Sequence, residues 1–390
     1  MKAKDELQNK LLPSSQTQLA DLYLYDKDGV SLYDWVYRTG NQSTLNYIYK
    51  HLIVPYYQNQ DEKIDTKQTD EAGYTLLHWA ILCRQSLKQI KELENLGFSF
   101  DAVSPYQVTV LHLAAGAGDP EVVQYLLSRH EAKVNAARAN DGATALYMAA
   151  ENGHAEVVKL LLTYDKHAEA IKRWLAYDRI NVNAVCTTDG ATALFIAAQN
   201  GHAEVVKCLL VHSKTDVDAA RTDGATALFI AAQNGYDEIV NCLLANKASV
   251  ASGMQADVHF LLALAEKLHC KSALTVWLET QFQAPLPEHI PGITPLDIAI
   301  IAGHNHIAQR LLEEANDFSH GKIIQALQIA KAMANQAIVE QLQTILQHNQ
   351  TEQSSVQPQV SVGTSGFFAN ASGGEVSSSN TSCTMSEKYN

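Results

Sequence analysis

Cysteine is scarce in this chain, six residues in 390, and Cys83, Cys186, Cys208, Cys242, Cys270 and Cys383 form no CxxC pair and no regular framework. Such spacing argues against a disulfide scaffold and reads as unpaired thiols of a reducing, cytoplasmic compartment. Long apolar runs are missing too. No stretch of about 18 uninterrupted apolar residues occurs, and Met1-Lys2-Ala3-Lys4-Asp5-Glu6 leads into no apolar core, so neither a membrane span nor a conventional signal peptide is expected. A bacterial secretion route that uses no such peptide stays open. Positive charge is short: 29 Lys and Arg stand against 42 Asp and Glu, a net charge of -13. Nucleic-acid binding needs Lys and Arg concentrated against phosphate, and this balance disfavours it. There is no GxxxxGK[ST] phosphate loop and no dinucleotide glycine motif.

What the chain has is repetition. Asp-Gly-Ala-Thr-Ala-Leu occurs at Asp141 to Leu146, Asp189 to Leu194 and Asp223 to Leu228. Each copy runs into Ala-Ala, then Asn-Gly, then an apolar helix ending in Leu-Leu. The same grammar, altered, surrounds Thr75, Thr109 and Thr294. Thr75, Thr109, Thr144, Thr192, Thr226 and Thr294 are separated by 34, 35, 48, 34 and 68 residues. A period near 33 belongs to stacked helix pairs. The 68-residue gap equals two periods and predicts a degenerate unit centred on Phe260, in which Leu262, Ala265, Leu274 and Leu278 keep the buried register of Leu228, Ala231, Val240 and Leu244. Ser31, with Gly40 nine residues on, reads as a divergent first unit, followed by a longer connection over residues 54 to 69. Gly321 to Gln347 is apolar at helical spacing and reads as a terminal cap.

The TxLxxAAxxG core followed by a VVxxLL helix resembles the ankyrin repeat family over roughly residues 28 to 347. The resemblance implies an all-α solenoid of antiparallel helix pairs with short β-hairpin loops, and it implies no enzymatic activity. The expected organisation is an N-terminal flank or cap at 1–27, an array of about eight units at 28–318, a helical cap at 319–348 and a flexible Ser/Thr/Gly-rich tail at 349–390. In each unit the threonine caps the first helix. Paired alanines such as Ala149-Ala150 let helices approach closely, and Gly153, Gly201 and Gly235 end the first helix in a left-handed conformation. Val157, Val158, Leu161 and Leu162 supply the apolar face of the second helix.

The histidines are expected to be scaffold. His78 and His112 stand at the family's TxLH position, and His154, His202 and His304 follow the helix-ending glycine. Positions repeating one unit apart do not converge as zinc ligands. No cofactor and no metal are expected. A cysteine nucleophile would need a base and an orienting partner, and His269-Cys270 adjacency on a helix sends the two side chains apart.

The resemblance places partner binding at the hairpin tips and on the concave face of the first helices. Near the tips these are Asn140, Asp141, Thr188, Asp189, Thr222 and Asp223. On the first helices they are Tyr147, Met148, Glu151, Asn152, Phe195, Ile196, Gln199, Phe229, Ile230 and Gln233. Tyr147, Phe195 and Phe229 replace the TxLH histidine in three consecutive units, an aromatic ladder that serves either packing between units or partner contact. The 48-residue separation adds about fourteen residues, among them Trp174, Leu175 and Tyr177 beside Lys172, Arg173 and Arg179, which form either a binding surface or a variable loop.

Residues 351 to 390 are rich in Ser, Thr, Gly, Gln and Asn, a composition that cannot build a core. Near-identical NGHAEVVK-type units followed by such a tail resemble ankyrin proteins that intracellular bacteria deliver into eukaryotic host cytoplasm; an endogenous cytosolic adaptor is the other origin. The main expectation is a noncatalytic adaptor or scaffold for a protein partner, which for a delivered effector is a eukaryotic host protein. The rivals are hidden thiol or transferase chemistry in a divergent region, and a self-assembling structural scaffold.

Overall fold

The computed structural model describes residues 42–58, 63–70, 73–129, 133–171, 180–282, 285–314 and 318–355. The chain divides into two compact units after Leu346; the helix stack belongs to the first, and the second is described as far as Ser355. Helix α1 (Gln42–Ile48) continues through a π-helical turn, Tyr49–Ile53, into Val54–Tyr56. Helix pairs follow: α2 (Leu76–Leu82) with α3 (Leu87–Asn95), α4 (Val110–Ala117) with α5 (Pro120–Leu127), and α6 (Ala145–Glu151) with α7 (Ala155–Ile171). Next come α8 (Ala193–Gln199) with α9 (Ala203–Leu210), and α10 (Ala227–Asn234) with α11 (Asp237–Ala245). Strand β1 (Met254–Asp257), helices α12 (Val258–Lys267) and α13 (Lys271–Phe282), and strand β2 (His289–Ile293) precede α14 (Pro295–Ala302) with α15 (Asn305–Leu312). The pair α16 (His320–Ala332) and α17 (Gln336–Ser355) comes last.

The first helix of each pair starts at its threonine because that side chain satisfies a backbone donor the helix leaves open. Thr144 Oγ1 accepts from Tyr147 N at 3.3 Å, Thr192 Oγ1 from Phe195 N at 3.2 Å and Thr226 Oγ1 from Phe229 N at 3.3 Å. The first helices are apolar nearly all round because they touch neighbours on both sides. Ala149, Ala150, Ala197, Ala198, Ala231 and Ala232 are fully buried where those helices meet. The second helices bury one stripe, for example Val157, Val158 and Leu161 on α7 and Val205, Val206 and Leu209 on α9. Each such side chain contributes about 1.5–3 kcal/mol when taken from water.

Polar side chains tie successive pairs together. Thr109 N donates to His112 Nδ1 at 3.1 Å, which leaves the proton on Nε2, and Nε2 donates to Ala143 O of the next pair at 3.1 Å. His154 Nε2 reaches back to Gly116 O and His202 Nε2 to Glu151 O, both at 3.0 Å. Each of these two rings lies on a glycine of the preceding pair. Gly153 has φ +77°, and a Cβ there would come within 2.7 Å of the His202 ring.

The 68-residue interval differs from the two-period expectation. A helix pair is present near 260, as α12 and α13, and Ala265, Leu274 and Leu278 are buried. It does not stand between α10 and α14, however. Helix α14 packs on α10 directly. His304 Nε2 donates to Gln233 O at 3.1 Å, and a Cβ on Gly235 would meet the His304 ring at 2.6 Å, the same seat that His202 takes on Gly153. Strands β1 and β2 pair antiparallel, Met254 opposite Ile293 and Asp257 opposite His289. Val258 N donates to Glu288 O at 3.0 Å, so the chain leaves and re-enters the hairpin at one point. The interval is therefore a single unit with a helix pair inserted into its hairpin. The side chains explain the exclusion. Where Thr226, Ala232 and Gly235 stand in α10, this segment carries Phe260, Glu266 and His269. Its helix is capped three residues earlier, by Asp257 Oδ1 accepting from Phe260 N at 2.8 Å, and in the repeat register it would bury the Glu266 carboxylate where Ala232 is fully enclosed. Helix α14 restores Thr294 and Gly303, puts the buried Ile300 where this segment carries Glu266, and occupies the place.

The divergent first unit at Ser31 and Gly40, the flank at 1–27 and the tail beyond Ser355 lie outside the described residues. The terminal helices α16 and α17 extend past the 319–348 range expected for a cap, to Ser355.

Two outcomes are expected of this framework. Gly153→Ala imposes a left-handed alanine, about 1–2 kcal/mol, and displaces His202, so urea unfolding should show at least that loss. Asp297 supplies the second. It holds the position of His78 and His112, fully buried, with Oδ2 accepting from Thr294 N, Thr294 Oγ1 and Gln325 Nε2 at 2.9, 2.8 and 2.7 Å. Its Oδ1 has no partner. Burial pushes this carboxyl up to about 6 from 3.8, against those hydrogen bonds and the nearby Lys322. The folded chain thus binds this proton more tightly than the unfolded chain. Its stabilising contribution is complete below about 3.8 and is lost as pH rises through about 6. Asp297→Asn should therefore gain stability relative to wild type between about pH 4 and pH 7, on the order of 2 kcal/mol in urea unfolding.

Candidate protein-binding surface

The hairpin tips form a continuous edge built by backbone hydrogen bonds. Ala139 N donates to Tyr106 O at 2.8 Å, Thr187 N to Asp141 O at 2.7 Å, Thr222 N to Asp189 O and Gln255 N to Asp223 O at 2.9 Å. The tip aspartates serve the turns. Asp141, Asp189 and Asp223 each accept, at 3.0 Å, the N–H two residues on, from Ala143, Ala191 and Ala225. Arg138 pairs with Asp141 and Arg221 with Asp223. Burial works to raise the Asp223 carboxyl, but the hydrogen bonds from Arg221 and Ala225 outweigh it and hold it below its usual range. The edge leaves Asn140, Thr188 and Thr222 exposed at successive tips.

Along the first helices, the positions four, seven and eight residues after the threonine carry the side chains left over from packing. On α6 these are Met148, Glu151 and Asn152; on α8, Ile196, Gln199 and Asn200; on α10, Ile230, Gln233 and Asn234. Met148, Glu151, Gln199 and Gln233 are half-buried, and the three asparagines are exposed. The asparagine amides are already engaged, Asn200 Nδ2 with Glu151 O at 2.8 Å and Asn234 Nδ2 with Gln199 O at 3.1 Å. The chemistry this face presents is thus a methionine and glutamines.

The aromatic ladder belongs to the core, the packing alternative of the two, which removes Tyr147, Phe195 and Phe229 from the expected contact residues. Phe195 is 1% exposed, Phe229 2% and Tyr147 9%, while Ile196 and Ile230 are 8% exposed. Each aromatic ring follows its capping threonine by three residues and points into the seam between units, so it has no area to offer a partner. Arg221 lies over the Phe195 ring, its Cζ 5.2 Å from the centroid, and closes the seam from the tip side. Trp174 and the rest of 172–179 lie outside the described residues.

The tips also expose apolar residues that the repeat grammar did not single out. Tyr106 is 58% exposed, Val185 51% and Val103 48%. Their signal in the sequence was only an apolar residue where other tips are polar.

Chemistry finds little support. Burial pushes the Cys83 thiol up to about 12, and it raises Cys208 and Cys242 as well. Such thiols are protonated near neutrality and are not thiolate nucleophiles. Burial lowers His78 and His112 to about 4, so both rings are neutral hydrogen-bonding groups. Among the described residues no group of three or more His, Cys, Asp or Glu side chains could hold a metal ion, and no helix is long and apolar enough to cross a membrane.

Compared with known families, residues 86–172 and 163–254 each match a family model that describes ankyrin repeats three at a time. Substitution separates the two kinds of position described above. Phe195→Ala or Phe229→Ala should cost about 3–5 kcal/mol of unfolding free energy, whereas Gln199→Ala should stay within about 0.5 kcal/mol, both measured by urea titration.

Proposed function

The chain being an ankyrin-repeat protein, whose repeats generally act as protein–protein interaction modules, we propose that it is a noncatalytic adaptor that holds a protein partner on the central units. The observation that carries this reading is the division of labour on α6, α8 and α10. Their seams are filled, and the histidines and asparagines beside them are engaged with neighbouring carbonyls. The side chains of Met148, Gln199 and Gln233 stand half-exposed outside the seams, in the register that packing leaves over. The exposed tips at Asn140, Thr188 and Thr222 run alongside. A rigid array of this kind binds without reorganising, which keeps the ordering cost of association low.

The finer reading is an effector delivered by an intracellular bacterium into a eukaryotic host, where it engages a host protein. Its support is the identity of Asn152-Gly-His-Ala-Glu-Val-Val-Lys159 and Asn200-Gly-His-Ala-Glu-Val-Val-Lys207, together with the polar composition of residues 356–390. Hidden enzyme chemistry lacks a comparable observation.

Proximity crosslinking with mass spectrometry in eukaryotic lysate tests the adaptor reading, with wild type set against the triple variant Met148→Arg, Thr188→Arg and Gln233→Arg. These positions lie outside the seams, so the variant should keep the wild-type unfolding midpoint and lose a specific crosslinked partner by at least about tenfold, on the order of 1.4 kcal/mol. Retention of the same partner at the same sites would refute the central surface.

A further inference from the structure

The first-helix positions that face away from the packing differ along the stack. Four and seven residues after the threonine, α6, α8 and α10 carry Met148 and Glu151, Ile196 and Gln199, and Ile230 and Gln233. The same two positions on α14 are Ile298 and Ile301, both fully buried, and the next residue is Ala302. The fourth position is apolar on α8 and α10 too, but the seventh is a half-buried Glu or Gln on α6, α8 and α10, so a fully enclosed Ile301 there means that something covers α14 on that side.

The inserted pair supplies the cover. Helix α12 packs against α14, and α13 against α16. At the turn joining α12 to α13, Leu268 sits over Gly303, where a Cβ would approach to 2.9 Å. Cys270 Sγ donates to Met333 O at 3.5 Å, and Trp277 Nε1 to Gln328 Oε1 at 3.3 Å. Val258, Leu261, Ala265, Leu274 and Leu278 form the buried stripe of the pair, an i, i+3, i+7 pattern on α12 and i, i+4 on α13. That is the apolar stripe of helices laid on a surface.

We propose that α12 and α13 are a built-in occupant of the first-helix face: they close α14 and α16 to partners, so the partner-binding surface of this chain ends at α10. This rests on the adaptor reading for the meaning of that surface, although the occupancy itself can be tested without any partner. Because Val258 N donates to Glu288 O, the insertion can be removed at the point where it leaves the hairpin and the two strands joined by a two-residue turn.

The test uses the full chain and two variants. In the first, residues 258–288 are replaced by Asn-Gly between Asp257 and His289, the turn suited to a two-residue hairpin. Carbene footprinting with a diazirine probe is then read at Ile298 and Ile301. Labelling should rise severalfold over wild type there and stay unchanged on α8 and α10. Unchanged labelling at both isoleucines would overturn the proposal, and so would loss of α14 and α15 together, which is what removing an intercalated unit would cause. In the second, Met333→Cys in the intact chain is treated with a short bismaleimide and peptide-mapped. A crosslink within one chain, from Cys270 to the thiol introduced at position 333, is expected, and its absence would overturn the docking. Partner crosslinks, where present, separate the two ideas. Contacts on α14 or α16 of the intact chain would defeat the bounded surface and leave the adaptor reading standing. Absence of any partner, with the footprint as expected, would defeat the adaptor reading alone.

Discussion

A helix pair of this chain cannot enclose its own apolar surface, and the contact of one first helix against the next is what every other feature depends on. Fully buried alanines bring the helix backbones together, and the residue three positions after each threonine, an aromatic, a histidine or on α14 Asp297, fills the space beside them. Histidines from the second helices' starts then hydrogen-bond to carbonyls of the preceding pair. Nearest-neighbour contacts of this kind make stability a sum over interfaces, so a unit that fails to fit weakens two seams at once. Helices α12 and α13 are the visible result: a segment of repeat length whose side chains no longer suit the seam was left out of it, and α14 closed the gap.

The same contact decides where function can reside. Positions facing the seam are large or small as packing requires, and a polar substitution there leaves an unpaired group in a dry interface. Variation without that penalty is confined to the tips and to the outward register of the first helices. In the central units the seventh position after the threonine is a half-buried Glu or Gln. On α14 it is apolar and enclosed, so one fold presents both an open stretch and a stretch it covers itself.

Much of the scaffold was legible because its signals are local. Thr144, Thr192 and Thr226 mark helix starts through one hydroxyl and one amide, and the glycines nine residues on mark the turns. Histidines in the two repeated positions could be assigned to structure from the family resemblance together with their periodicity. The aromatic ladder was not legible in this way. Tyr147, Phe195 and Phe229 have the size and stiffness that suit an interface anchor and a buried seam equally well, and the choice depends on what stands opposite. Tyr106 and Val185 escaped notice because tips have no period to break.

The sequence by itself determined the helix pairs, their order and their capping, since each follows from contacts within about ten residues of a threonine. It also determined the apolar spacing of α12 and α13, down to Ala265, Leu274 and Leu278. Only the tertiary structure decided where that pair lies, because an apolar stripe specifies that a helix must be covered and not by which neighbour. Competition between Phe260 with Glu266 and Thr294 with Ile300 for the seat on α10 is a comparison of two packed interfaces. That difference exists only once the chain is folded.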